Sequence, residues 1–138
     1  MLISDPAFRI GTRIAGSQQI GILAGDGTNS GILQALDNRE AIKVNDVVLS
    51  RGSANNSPFV PGVPIGLIKK VSSATNSVSQ VAEVEYYANL NALGIVSVVT
   101  GASKNDPRDG LVPPPPQPTP MLTVTVTATP EPSPSTKN

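Results

Sequence analysis

The sequence predicts an all-β body followed by a proline-rich tail. Short apolar segments that alternate with polar residues recur along the first 110 residues, and clusters of glycine, asparagine, serine and proline separate them. After about Gly110 the chain becomes rich in proline and threonine and nearly loses its charges. We therefore predict a folded domain over residues 1–110, with two sub-lobes possible, and a disordered Pro/Thr-rich tail over residues 111–138.

Two of the first three predicted strands precede a turn cluster, and the third follows it. Four alternating residues of the first strand are expected to share one face: Phe8, Ile10, Thr12 and Ile14. Arg9 and Arg13 fall on the opposite face. In the second strand three residues are expected to follow the same rule: Ile20, Ile22 and Ala24. Residues 25–31 form a turn cluster, and residues 32–36 resume a strand, which predicts a hairpin.

The later strands follow the same alternation. Residues 47–49 form a short buried run, and residues 65–71 and 80–86 are expected to pair around a turn at 75–77. Ala82, Val84 and Tyr86 should face inward, with Glu83 and Glu85 in water. Residues 88–93 are either a turn or a short helix, and residues 95–99 are predicted as the last strand.

Residues 59–66 are the most informative segment of the chain. Pro61 and Pro64 fix φ and remove two N–H donors, while Gly62 and Gly66 permit positive φ or a close approach of another backbone. Phe59 adds one of only four aromatic rings. We interpret these five residues as a shaped corner that leads into a strand, with an exposed ridge for docking a partner as the alternative.

The composition argues against an enzyme. The chain has no histidine and no cysteine, which removes the commonest general base, thiolate chemistry and the usual zinc ligands. Ten basic and ten acidic residues leave no net charge, so nucleic acid is not expected as a partner. No apolar run reaches the roughly 20 residues of a membrane helix, and we expect a soluble chain without an export signal. We predict no catalytic, cofactor-binding or metal-binding residue.

Three weak motifs have simpler structural explanations. Residues 25–27, Gly-Asp-Gly, lack the Lys-Ser/Thr pair of a phosphate loop and the further carboxylates of a calcium loop. Glu83 and Glu85 share a strand face, but few aromatic rings are present to bind a sugar. Lys69 and Lys70 precede Ser72, yet a lysine acts as a base only when it is buried. A turn, a solvated face and a strand end are the favoured interpretations.

The tail leaves two alternatives open. Four consecutive prolines at 113–116 favour an extended polyproline II conformation, and the tail lacks enough apolar surface to fold alone. Residues 122–127 alternate at period two, so they could instead dock as a strand. The solvated tail is favoured, and its threonines and serines are read as an unmodified spacer rather than O-glycosylation sites. Deleting residues 111–138 is expected to leave the melting curve nearly unchanged.

An ordered series of motifs resembles the extracytoplasmic β-domain of the bacterial rod shape-determining protein MreC family. Its pieces are Asp-Pro-x-Phe-Arg-Ile at 5–10, Gly-Ile-Leu-x-Gly at 21–25, Lys-Val-Asn-Asp-Val-Val at 43–48, Phe-x-Pro-Gly-x-Pro-Ile-Gly at 59–66, Glu-Val at 83–84 and the segment 89–99. The series covers roughly residues 2–100. Asn45 stands where the family has glycine, and asparagine also tolerates positive φ.

The resemblance implies two small β-subdomains built as six- or seven-stranded barrels. It also implies a non-enzymatic scaffold in the cell-wall elongation machinery, at the outer face of the bacterial cytoplasmic membrane. The implied partners are an elongation transpeptidase (a penicillin-binding protein), shape-determining membrane proteins and further copies of the chain, with the membrane reached only through an N-terminal anchor absent here. The alternative is a secreted polysaccharide- or protein-binding β module with a Pro/Thr linker.

Overall fold

A computed structural model describes residues 1–37, 40–72, 79–101, 105 and 107–115. Its strands are β1 (Arg9–Ile14), β2 (Ile20–Gly25), β3 (Ser30–Ala35), β4 (Val47–Ser50), β5 (Pro64–Ser72) and β6 (Val81–Tyr86). Within these residues the only helices are two 3-10 turns, Ala54–Asn56 and Arg108–Leu111, and neither could cross a membrane. The all-β, barrel-like prediction is confirmed. One barrel contains all six strands, and the division of residues 1–110 into sub-lobes stays a prediction.

The six strands form a closed antiparallel barrel in the order β1-β2-β3-β6-β5-β4. β4 returns to pair with β1, with Thr12 opposite Ser50, so each of these strands has two hydrogen-bonded neighbours. A closed barrel offers no free edge to another strand. The predicted strand at residues 95–99 is accordingly wrong: those residues form no ladder and all are exposed.

The core fills the barrel interior with aliphatic side chains. The largest fully buried side chains of this core belong to Leu23, Leu33, Ile68, Val48 and Val84, and Leu49 and Thr12 are fully buried as well. In β6 the predicted alternation is confirmed, because Ala82, Val84 and Tyr86 are buried while Glu83 and Glu85 are exposed. Burial of this interior is the main favourable term for a barrel of this size.

The inward face of β2 was predicted wrongly. Gly21, Leu23 and Gly25 are buried, whereas Ile22 lies on the outer surface. A Cβ at Gly21 would stand 2.7 Å from Leu33 Cδ1 and 2.9 Å from the Gln34 carbonyl oxygen. Because the interior of a six-stranded barrel is narrow, glycine takes inward positions that an alternation of apolar residues assigns to larger side chains.

The connections agree with the predicted turns where they can be compared. Residues 25–31 link β2 to β3 as a hairpin, with Gly25 opposite Gly31. Asn45 has a φ of 72°, as its place in a glycine turn predicts. Residues 88–93 form a turn, with Ala92 N–H donating to the Asn89 carbonyl at 3.2 Å. The predicted turn at 75–77 and the alternating segment 122–127 lie outside the described residues.

Candidate interaction surface

The corner at residues 59–66 is held by one buried serine. Ser50, at the end of β4, donates its hydroxyl to the Val60 carbonyl at 2.5 Å and accepts the Val63 N–H at 2.9 Å. The two backbones add Gly62 N–H to the Ser50 carbonyl at 2.8 Å and Ser50 N–H to the Val63 carbonyl at 2.9 Å. The four hydrogen bonds satisfy polar groups that the corner would otherwise bury unpaired.

The glycines of the corner allow close approaches that no side chain would permit. Gly66, on β5, lies so near β6 that a Cβ would overlap the Glu85 carbonyl oxygen. Gly62 has a φ of 80°, and a Cβ there would overlap the Pro107 ring. Pro61 is buried against Gly52, where a Cβ would lie 3.0 Å from it. Steric crowding, by backbone at Gly66 and by proline rings at Gly62 and Gly52, therefore explains why glycine stands at these places.

The corner also has an apolar edge that meets solvent. Phe59 is half-buried and packs edge-to-face on Phe8, with ring centroids 5.6 Å apart and an interplanar angle of 80°. Pro64 is half-buried at the start of β5. Val63, between the two prolines, is 39% exposed. Of the five predicted corner residues, Phe59 is thus the one whose side chain packs against the core and also reaches the surface.

The apolar run at residues 95–99 lies beside this edge. Val98 is 81% exposed, and Ser97, Val98 and Val99 line one groove of about 440 Å³. Phe8, Phe59 and Val63 are among the residues that line the same groove. We call the corner edge (Phe8, Phe59 and Val63) together with residues 95–99 the contact surface. Sequence reasoning missed this juxtaposition because it placed residues 95–99 inside the sheet.

The Gly-Asp-Gly motif is a hydrogen-bonded turn. Asp26 accepts the Thr28 N–H at 2.8 Å and hydroxyl at 2.7 Å, and its other oxygen accepts the Ser30 hydroxyl at 2.6 Å. The Ser30 and Thr28 hydrogen bonds lower the pKa of the Asp26 carboxyl from its ordinary value. The carboxylate is therefore engaged in stabilising the β2–β3 hairpin, as an Asx turn does.

The other charged candidates lie on the outer wall of the barrel. Lys69 Nζ is 2.7 Å from Glu85 Oε2, and both side chains are about half exposed. Glu83 lines the same shallow surface as Glu85, alongside Thr28 and Ser30. Within the part of the chain that the structure describes, no three histidine, cysteine, aspartate or glutamate residues come together as a metal site. Exposed pairs of this kind contribute little to stability.

Comparisons with known proteins agree with this geometry. A search of curated proteins found no match. A solved structure described as MreC is 22% identical, with a TM-score of 0.56 over 66% of this chain and 51% of the other. The crystal structure of MreC from Pseudomonas aeruginosa gives the same identity and TM-score, over 66% of this chain and 58% of that one. This chain thus spans little more than half the length of those structures, and at such identity the likeness concerns the fold.

The family assignment comes from a sequence-family comparison. The family described as "Rod shape-determining protein MreC, barrel core" matches residues 1–100. That range includes all six strands, the corner and the whole contact surface. The chain belongs to the rod shape-determining MreC family, and residues 1–100 form its barrel core.

Proposed function

We propose that this protein is a non-enzymatic scaffold that helps to determine bacterial cell shape by binding other proteins of the cell-wall elongation machinery. Its partners would be an elongation transpeptidase, shape-determining membrane proteins and further copies of itself. The barrel would work at the outer face of the cytoplasmic membrane. The membership of the MreC family supports this assignment, and the contact surface supplies the physical means.

The contact surface is the observation that carries the proposal. Aliphatic side chains at Ile95, Val96, Val98 and Val99 all stand more than half exposed. Val98 and Val99 line a groove together with the half-buried Phe8 and Phe59, which pack against the core, so the apolar area is continuous with the core. A contiguous exposed apolar area of this sort marks a protein interaction site in soluble proteins. The rings at its margin are phenylalanines, a residue type that is enriched in protein interfaces relative to the rest of the surface.

The rest of the described surface favours binding over catalysis. The carboxylate of Asp26 is engaged in a turn, and Lys69 pairs with Glu85 on an open wall. Of the four aromatic residues only Tyr87 is exposed, so a platform of stacked rings for a polysaccharide is not formed. The interaction surface is consequently apolar, and a protein partner fits it better than a sugar chain.

The test is a binding assay against the elongation transpeptidase with two matched variants. Val98→Lys puts a charge on the contact surface, and Ile32→Lys puts the same charge at a 41% exposed residue of β3. We expect both variants to keep the parent melting temperature, because both side chains already meet water. Val98→Lys should weaken binding at least about tenfold, the cost of burying a charge in an apolar interface, while Ile32→Lys should not.

Two results would contradict the proposal. One is equal binding by the parent chain and Val98→Lys, which would remove the contact surface from the interface. The other is strong retention of the parent chain on purified peptidoglycan without binding to the transpeptidase, which would favour the polysaccharide-binding alternative.

A further inference from the structure

Residues 107–115, which we call the strap, cross the outside of the barrel. Pro107 packs on the Cα of Gly62 in the corner. Two residues later, the Asp109 carboxylate accepts the Gly16 N–H at 3.0 Å and the Gln18 side-chain amide at 3.0 and 3.2 Å. The end of the predicted folded domain, just before the predicted tail, is therefore docked on the barrel, and residues 116–138 lie outside the described residues.

The β1–β2 turn is shaped to receive that carboxylate. Gly16 and Gln18 both have positive φ, 78° and 59°, in this turn, and the Gly16 N–H is the group that donates to Asp109. The Gln18 side-chain carbonyl accepts Arg13 Nη1 at 2.8 Å, and Arg13 is buried in the barrel wall. Gln18 thereby connects a buried cation to Asp109, which fixes the orientation of its amide and gives the strap a specific anchor.

Beyond the anchor, the prolines of the strap face an apolar groove of about 480 Å³. The barrel side of this groove is lined by Asn45, Val47, Leu67 and Tyr87, and the strap side by Val112 and Pro113–Pro115. Val112 is half-buried, while Tyr87 is 44% exposed. Proline segments beside an aromatic ring repeat the way in which polyproline II peptides are recognised. Within this groove, few polar groups change their exposure to water when the strap leaves or returns.

The described part of the connection between barrel and strap does not hold the strap to its own barrel. Described residues 91–101 are all exposed, and no backbone hydrogen bond ties residues 93–101 to the barrel. Every copy of the chain carries both the strap and its docking site, so a strap from another copy would make the same contacts. Because the strap is tethered to its own barrel, its effective concentration at that barrel is on the order of millimolar, which favours self-docking in dilute solution.

We propose that the strap is exchangeable, so that the strap of one copy docks on the groove and β1–β2 turn of a second copy. Exchange of identical elements is a low-cost route to association because it creates no new interface. It becomes significant where copies are crowded to millimolar local concentration, and this inference therefore rests on the proposed function as a scaffold. Reciprocal exchange closes a dimer, while one-way exchange continues into a chain of copies.

The test uses the absence of native cysteine. One full-length chain carries Leu67→Cys on the barrel side of the groove, and a second chain, with a size tag, carries Pro114→Cys in the strap. After mixing and mild oxidation, we expect a disulfide-linked mixed dimer whose yield rises as total concentration approaches the millimolar range. The matched control is Ile22→Cys, on β2, which the strand order places opposite β5 in the barrel. It should give no mixed dimer above background.

A chain that carries Leu67→Cys and Pro114→Cys together reports the self-docked form. Internal closure of this chain at every concentration, with no mixed dimer from the separate variants, would overturn exchange. A failure of both reactions would also overturn it, because the strap would then not occupy the groove in solution. Neither result changes the transpeptidase assay with Val98→Lys, so failure of the strap proposal is distinguishable from failure of the proposed function.

Discussion

The corner at residues 59–66 and the run at residues 95–99 have opposite environments. Both are uncharged and contain valine and isoleucine, while prolines and glycines occur in the corner alone. Pro61, Gly62 and Gly66 are buried against neighbouring segments of the chain, whereas every residue of the run is exposed. The barrel explains the difference, because β1 and β4 close it before the run begins and leave no edge to pair with. Because the barrel is closed, residues 95–99 find no strand to pair with and remain an exposed apolar surface, although their sequence is typical of a strand.

The largest loss of stability is expected for a variant that disrupts the corner. Gly66→Val places a side chain where even a Cβ overlaps the Glu85 carbonyl, and the two paired strands would have to separate. We expect a loss of at least about 3 kcal/mol of unfolding free energy, or failure to fold. The control is Gly94→Val, next to the run, where a Cβ meets nothing within 4 Å. Thermal melts of the two variants should differ sharply, and equal melting temperatures would refute the crowding at Gly66.

A second pair of variants compares the same residue in the two environments. Leu23 is fully buried in the barrel, and Leu93, just before the run, is 49% exposed. Leu23→Ala should cost about 2–5 kcal/mol through lost burial and a residual cavity. Leu93→Ala should change stability by less than about 0.5 kcal/mol. Urea unfolding measures both, and a large loss for Leu93→Ala would mean that the segment packs on the barrel.

A smaller effect is expected at the strap anchor. Asp109→Ala removes the acceptor of the Gly16 N–H and frees the Gln18 amide. Because the site is exposed, we expect a minor change in melting temperature but clearly faster hydrogen exchange at the Gly16 amide. Glu40→Ala is the control, since Glu40 is exposed and its described hydrogen bond uses the backbone carbonyl. Unchanged protection of Gly16 would contradict the anchoring role of Asp109.

The smallest effect concerns the end of the chain. Deletion of residues 116–138 should leave the melting curve unchanged, because the barrel and the strap both remain. Deletion of residues 111–138 should lower it only slightly, since it removes Val112 and the prolines from the groove but keeps Asp109. Differential scanning calorimetry compares the two. A large drop for the shorter deletion would mean that residues 122–127 dock as a strand.

The parts of the fold that depend on local pattern could be predicted from the sequence. Period-two alternation placed Glu83 and Glu85 outside and Val84 inside, and the glycine cluster at 25–31 located the hairpin. Asn45 was expected at positive φ, and the structure has it there. These features follow from a few neighbouring residues and from backbone sterics.

The parts that depend on closure could not be predicted in this way. The sequence of β2 does not show which face points inward. The larger Ile22 is the natural choice for a core residue, but the barrel interior is so narrow that Gly21 lies inside and Ile22 outside. Likewise, nothing within residues 95–99 tells whether a sheet edge is available. The corner was recognisable from its prolines and glycines, but its contact with Pro107 joins segments 45 residues apart and appears only in the folded chain.

The most direct test of the account measures hydrogen exchange at residues 95–99, in the isolated chain and with the elongation transpeptidase bound. In the isolated chain these amides should exchange as fast as an open loop, while β2 and β6 stay protected. On binding, residues 95–99 and the neighbouring corner should become protected. Protection of residues 95–99 already in the isolated chain, or no change when the partner binds, would contradict the contact surface.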